Sequence, residues 1–241
     1  MYLQVDRPYA GPPNMGHGGY VAGRLAADLL GDRPATPTPA VEVTLRRPVP
    51  LDTPMELGDD GTLRLGDELI AEARILGADE PLQLDVPPPP TVEQARAAEI
   101  ESPARGDQYN EGRGVHPICY GCGAHRPDDL GLRIFAGPVR GEHEQVAAAW
   151  HPTEDLVDTT HVLAALDCPG AFAFITTGDR AGLLGRIVYR QLADVRPATD
   201  HVVTGWRIGV DGRKMFAGTA LATADGEVLA VAKATWFGRP G

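Results

Sequence analysis

The 241-residue chain lacks three things, and each absence excludes a class of function before any motif is read. Basic clusters are missing: no Lys/Arg run exceeds a pair such as Arg46-Arg47, and 22 Lys and Arg against 33 Asp and Glu leave a formal net charge of -11. Such a chain repels a phosphate backbone, so nucleic acid is not an expected partner. Long apolar runs are missing too. No stretch approaches the roughly 18 consecutive apolar residues of a membrane span, and the start MYLQVDRPYAGPP is polar where a signal peptide carries an apolar segment. No membrane partner is expected, and the expected location is the cytoplasm. Cysteine is scarce. Cys119, Cys122 and Cys168 are an odd number, which in a reducing compartment reads as free thiols and not as a disulfide framework.

Two of those cysteines, Cys119 and Cys122, form a CxxC flanked by His116 and His125. A four-coordinate zinc site needs two further ligands, and no second CxxC or HxxxH supplies them at a familiar spacing. The expectation is a tight glycine-containing turn with buried thiols, and neither a metal nor a cofactor.

What is present describes an ordinary globular chain. At 43% hydrophobic and 23% charged residues a real core can form, and the length is comfortable for two small cores. The strongest internal boundary is Pro87 to Pro90, four prolines that fit neither a helix interior nor a central strand. After it, TVEQARAAEIES reads as a short helix capped by Thr91, and a polar, glycine-broken stretch runs on to Gly114. The predicted organisation is a first domain over residues 1–86, a linker over 87–115 and a second domain over 116–241.

Each domain reads as one helix with several antiparallel strands. In the first, GYVAGRLAADLL (19–30) sets Tyr20, Gly23, Ala27 and Leu30 near one helical face with Gly31 as a stop, and strands are expected at 41–45, 55–57, 62–65 and 69–76. In the second, strands are expected at 131–138 and 145–150, a helix within 159–177, then strands at 187–195, 201–210, 215–224 and 228–236. A helix and a set of antiparallel strands, written twice, is an α+β pattern in which each sheet buries one face on its own helix.

Two motifs sharpen this. The run NMGHGGYVAGRLAADLL resembles the first helix of hotdog-fold acyl-CoA thioesterases, including the double-hotdog acyl-CoA thioesterase II type. CYGCGAHRPDDLGLRIF and HVLAALDC resemble the single-hotdog thioesterases of the phenylacetate-pathway type. The resemblance implies a double hotdog: two antiparallel sheets, each wrapped around one helix. It implies an acyl-CoA or other acyl thioester as ligand. Further pairing into a homo-oligomer is left open.

It also implies a site. Unpaired amides at a helix N-terminus, made approachable by glycine, form an oxyanion hole, here Gly18 and Gly19. A facing carboxylate is then needed as nucleophile or as the base that activates water, and Asp167, after Val162 to Leu166, matches the acid of the phenylacetate type. His17, Asn14 and Gly170 stand beside these as expected substrate-binding residues. The residues themselves leave other roles open. Gly18 and Gly19 suit a tight start to a helix that His17 caps, and Asp167, before Cys168-Pro169-Gly170, suits the cap of a helix with proline in its first turn.

Several positions depart from the resembled families. Ala26 and Ala27 stand where the first helix would carry an acid, with Asp28 displaced around the helix; the second helix has Thr159-Thr160-His161 in place of glycines. The acyl-CoA thioesterase II type also uses a threonine and a glutamine; no glutamine in the strands GRIVYRQL and AVAKATWF matches the latter, and Thr235 is a weak stand-in. Arg46, Arg47, Arg186, Arg190, Arg213 and Lys214 are the basic groups on or beside strands for the phosphates of a carrier, though most suit plain surface positions. One composite site is therefore expected. Three functions fit: acyl-CoA thioesterase, non-catalytic acyl-CoA or acyl-carrier binding protein, and enoyl-thioester hydratase or dehydratase, the last needing an Asp/His pair such as Asp167 with His161.

Overall fold

The computed structural model describes residues 1–105, 115–126, 130–141 and 144–239. Its strands are β1 (Tyr2–Leu3), β2 (Val41–Leu45), β3 (Met55–Leu57), β4 (Thr62–Leu65), β5 (Glu68–Ile75), β6 (Gly137–Pro138), β7 (Gln145–Trp150), β8 (Arg180–Gln191), β9 (His201–Asp211), β10 (Lys214–Thr223) and β11 (Val228–Arg239). They form one antiparallel sheet in the order β1-β3-β4-β5-β2-β8-β11-β10-β9-β7-β6. Strands from the first 75 residues lie on one side of the β2/β8 pair, and strands from Gly137 onward on the other. That pair runs from Val41 opposite Tyr189 to Thr44 opposite Arg186. Val41, Val43, Ile187 and Tyr189 are all fully buried, so the junction buries apolar side chains as well as joining backbone.

Helix α1 (Gly18–Leu30) ends at Gly31, whose φ of 92° is left-handed, as the glycine stop requires. Its buried residues run from Gly19 to Ala27 with only Arg24 interrupting. A half-exposed helix would show a single apolar stripe; this one is enclosed, by the sheet and by a second helical segment. That segment was expected as one helix and is two, α3 (Thr159–Ala165) and α4 (Asp167–Ile175), broken at Leu166. Pro169 explains the break, because it has no N–H for the Ala165 carbonyl and its ring crowds that group. α1 crosses α3 at very short range: a Cβ on Gly23 would lie 2.4 Å from the Thr160 carbonyl oxygen and 2.6 Å from its Cα.

The stretch expected to be a linker contains α2 (Val92–Ile100), which opens with a capping box in which Thr91 and Gln94 satisfy each other's backbone N–H groups. This helix packs on the face of the sheet opposite α4, with Ala95 against Ala147 and Val202. Just before it, Leu82, Leu84 and Val86 cover Trp206, Ala220 and Val231 on that outer face. Residues 82–100 are thus a cover layer and not a free tether. The polar stretch 106–114 lies outside the described residues.

A strand was expected over 131–138, but only Gly137–Pro138 pairs as one. Arg133 adopts a φ of 57°, which no strand accommodates. Instead the Leu132 and Ile134 amides donate to the Tyr120 and Gly121 carbonyls at 2.9 and 2.8 Å. That pairing fastens the CxxC loop. No helix among the described residues is long and apolar enough to cross a membrane.

The α1/α3 crossing yields a stability prediction. Gly23→Ala places a methyl against backbone that cannot rotate away, and overpacking of this kind costs about 1–3 kcal/mol. A fall in the urea midpoint at unchanged m-value is the expected result, whereas Gly31→Ala is strained only by its φ.

Candidate active site and sulfur cluster

Two helix N-termini meet in the interior. At α1, the His17 Nδ1 accepts the Tyr20 amide at 3.1 Å, and the Gly19 amide donates to Asp167 Oδ2 at 2.6 Å. Two of the first-turn donors that a helix leaves unpaired are thereby satisfied, one by the preceding residue and one from across the molecule. Asp167 is the first residue of α4, yet its side chain makes no bond to its own helix end. It caps the facing helix instead. This corrects the cap role open to it from sequence, and it does bring the carboxylate to the Gly18-Gly19 turn.

Asp167 and His17 are both 2% exposed, with Asp167 Oδ2 3.3 Å from His17 Nε2. Burial pushes the Asp167 carboxyl above its ordinary range, against the opposing pulls of His17 and the Gly19 amide. Burial would by itself depress His17, but Cys119 and Asp167 together outweigh it and the net shift is upward. Since Nδ1 accepts from Tyr20, a neutral His17 carries its proton on Nε2, facing Asp167 and the sulfurs.

Beside this junction lies a cavity of about 260 Å³. His17, Gly18, Asp167 and Cys168 form its polar end, Leu45, Val49, Phe172 and Leu184 are among its apolar walls, and Arg46 and Arg47 also line it. Among the described residues, the lining acceptor Asp167 Oδ1 and the lining donor Trp236 Nε1 are buried with no hydrogen-bond partner. Both residues line the same cavity. A Cβ on Gly170, one turn along α4 from Asp167, would sit 3.0 Å from Trp236 Nε1. A buried unpaired acceptor and donor on one cavity wall are costly unless something polar is held between them.

The remaining expected site residues separate. Gly19 carries no free amide, and a Cβ there would meet Asp167 Cβ at 2.5 Å and the Ala164 Cα at 3.1 Å, so its smallness serves helix contact and not ligand approach. Asn14 is exposed in a turn with φ 63° and does not line the cavity. Gly170 packs under Trp236, Ala217 and Thr219 and does not line it either. His161 is occupied by Asp158, at 2.8 Å from both its amide and its Nδ1, so it forms no pair with Asp167.

Trp236 escaped sequence reasoning because the neighbouring Thr235 was the residue weighed on that strand. A bulge between Thr235 and Trp236 interrupts the alternation, and Trp236 and Phe237 both line the cavity while Thr235 does not. The sulfur atoms also converge. Cys119 Sγ lies 3.7 Å from Cys168 Sγ, which lies 3.4 Å from His17 Nε2. All three cysteines are free and buried. Hydrogen bonds from Cys122 and Cys168, and then the charge of His17, pull Cys119 well below the ordinary thiol range. The buried-thiol turn was expected; the side chains that close on it, His17 and Cys168, come from α1 and α4.

No protein-family model and no curated protein matches the chain. Solved structures do. The tesB protein of Mycobacterium avium subsp. paratuberculosis superposes with a TM-score of 0.61 at 14% identity, covering 99% of this chain and 92% of that one. A conserved protein of unknown function with hot dog fold from Alicyclobacillus acidocaldarius gives 0.59 at 15% identity, with 100% and 93% covered. An acyl-CoA thioesterase II, TesB2, from Mycobacterium marinum gives 0.53 at 15% identity, again with 100% and 93% covered. The chain has a hotdog-type α+β fold, similar over its whole length to thioesterase structures of the TesB kind.

The carboxylate junction predicts a contrast between two substitutions. Asp167→Ala leaves the Gly19 amide buried and unpaired, a loss of about 1–3 kcal/mol before the cavity is counted. Asp167→Asn keeps an oxygen for that amide and should melt within a few degrees of the parent. Thermal denaturation of the two variants side by side checks this.

Proposed function

We propose that the chain is a thioester hydrolase of the acyl-CoA thioesterase kind, with one composite site between two fused hotdog units, residues 1–86 and 116–241. The observation that carries this reading is the buried Asp167 carboxylate, with Oδ2 anchored by the Gly19 amide and Oδ1 unpartnered at the cavity. The segregation of strands about the β2/β8 pair supports two units, and the neighbours described as tesB protein and acyl-CoA thioesterase II support the chemistry. The first unit contributes His17 and Gly18 to the cavity, and the second contributes Asp167 and Trp236.

In this reading the thioester carbonyl lies between the Gly18 amide and Trp236 Nε1–H, which stabilise the negative charge that develops on its oxygen. Asp167 Oδ1 takes a proton from a water whose oxygen attacks the carbonyl carbon. The tetrahedral intermediate collapses with cleavage of the C–S bond, the thiolate recovers the proton, and a carboxylic acid and a free thiol leave. The apolar walls accept the acyl chain. Arg46 and Arg47, each already beside a glutamate, Glu72 and Glu68, line the cavity where an anionic carrier would approach.

Asp167→Asn is expected to abolish hydrolysis of an acyl-CoA panel while remaining folded, and Trp236→Phe to lower kcat by about 10²–10³, the usual effect of losing one oxyanion donor. Undiminished turnover by a folded Asp167→Asn protein would sink the mechanism. Saturable binding of a non-hydrolysable acyl-CoA analogue by a parent protein that hydrolyses nothing would point to a carrier-binding role instead.

A further inference from the structure

The sulfur cluster has no part in the proposed hydrolysis. Three chain segments that are far apart in sequence deliver it: the N-cap of α1 gives His17, the CxxC loop gives Cys119 and Cys122, and the first turn of α4 gives Cys168. His17 Nε2, Cys119 Sγ and Cys168 Sγ all lie within 4.8 Å of one another. Cys122, the other cysteine of the loop, is buried and free but stands outside this converged group. The four side chains are between 2% and 7% exposed.

We propose that Cys119, Cys168 and His17, whose donor atoms already converge, bind one thiophilic divalent metal ion of the zinc class as a closed structural site, with Cys122 of the same loop turning in as the fourth ligand. Two edges among the converged donors are already those of a tetrahedron. Zinc bonds of about 2.3 Å to sulfur and about 2.0 Å to nitrogen place sulfur–sulfur edges at about 3.8 Å and nitrogen–sulfur edges at about 3.5 Å. The separations found are 3.7 Å for Cys119 to Cys168 and 3.4 Å for Cys168 to His17. The backbone makes room for this centre. A Cβ on Gly121, inside the CxxC, would lie 2.7 Å from Cys168 Sγ and 2.8 Å from His17 Nε2. Glycine there lets the loop close on the donors from both helices, and the loop is fixed by the Gly123 amide on the Cys119 carbonyl and the Tyr120 amide on the Ala10 carbonyl, at 2.8 and 2.7 Å.

The four donors are unequal. Coordination through Nε2 moves the His17 proton to Nδ1, where it displaces the Tyr20 amide that Nδ1 now accepts. The three thiolates are therefore the core of the site and His17 its weakest ligand. Three sulfurs select a soft, borderline ion over magnesium or calcium. Four protein donors leave no open position, so the ion ties α1, α4 and the loop together beside the cavity and is not itself a Lewis acid for substrate. Binding releases the thiol protons to solvent and adds its free energy to folding.

The test uses the full chain, reduced, stripped with chelator and desalted. Titration with zinc against a chromophoric chelator is expected to give one ion per chain and a rise in Tm. Cobalt(II) is expected to give the intense visible bands and the near-ultraviolet sulfur charge-transfer band of a tetrahedral thiolate site. Cys119→Ser, Cys122→Ser and Cys168→Ser should each weaken binding by more than the 10–100-fold typical of changes outside the ligand set, and His17→Ala by less than any of them. No uptake by the reduced, folded parent chain overturns the proposal. So does parent-like uptake by Cys168→Ser, because the CxxC would then be binding metal without α4. Circular dichroism on each variant guards against reading a folding failure as a lost ligand, and the parent titration stands without them.

Discussion

The hydrogen bond from the Gly19 amide to Asp167 Oδ2 is the constraint on which the rest of the site depends. It is short, buried and charge-assisted, and it joins residues 148 positions apart. A carboxylate this deep would ordinarily be expelled or neutralised. Here it sits at the start of α4 and against the start of α1, so the positive ends of two helices face one negative group. Neither helix could hold it alone, since the α4 amides do not receive its side chain and α1 carries no acid on that turn.

That bond demands a close approach, and small residues provide it. Gly19 meets Asp167 and Ala164, and Gly23 meets Thr160, each at a range that excludes a side chain. Pro169 makes the angle possible: by breaking the second helical segment at Leu166 it lets α3 run along α1 while α4 turns its first residues into the interior. The contact between helices, the break and the buried carboxylate are thus one arrangement. Relaxing any of them would move Asp167 away from the cavity wall that Trp236 completes.

Much of this was legible in the sequence because it is local. The stop at Gly31, the Thr91 cap, most strand positions and the pairing of a glycine turn with a distant acid all follow from short-range rules or from two motifs. What was illegible is long-range. Nothing in the spacing of Cys119 and Cys122 says that His17 and Cys168 will reach them, because that depends on where two helices begin in space. Asn14 looked like part of a motif and proved to be its solvent-facing turn, and Gly170 looked available and is covered by Trp236. The outer layer formed by residues 82–100 was hidden by its own prolines, which mark a chain that cannot join a sheet but can still lie across one.

His17 belongs to both chemistries at once, touching the carboxylate through Nε2 and facing the sulfurs with the same atom. A change at His17 therefore cannot distinguish a lost metal from a mispositioned carboxylate. Other residues separate them. Cys119 contacts Cys168 across the sulfur cluster, whereas Trp236 lies over α4 beside Gly170, one turn from the carboxylate. If the metal only braces the helix junction, disturbing the sulfurs should loosen α1 against α4 and weaken substrate binding and turnover together. Disturbing Trp236 should instead spare the junction and act on the chemical step. The two sites share a wall, and the wall is the N-terminus of α1.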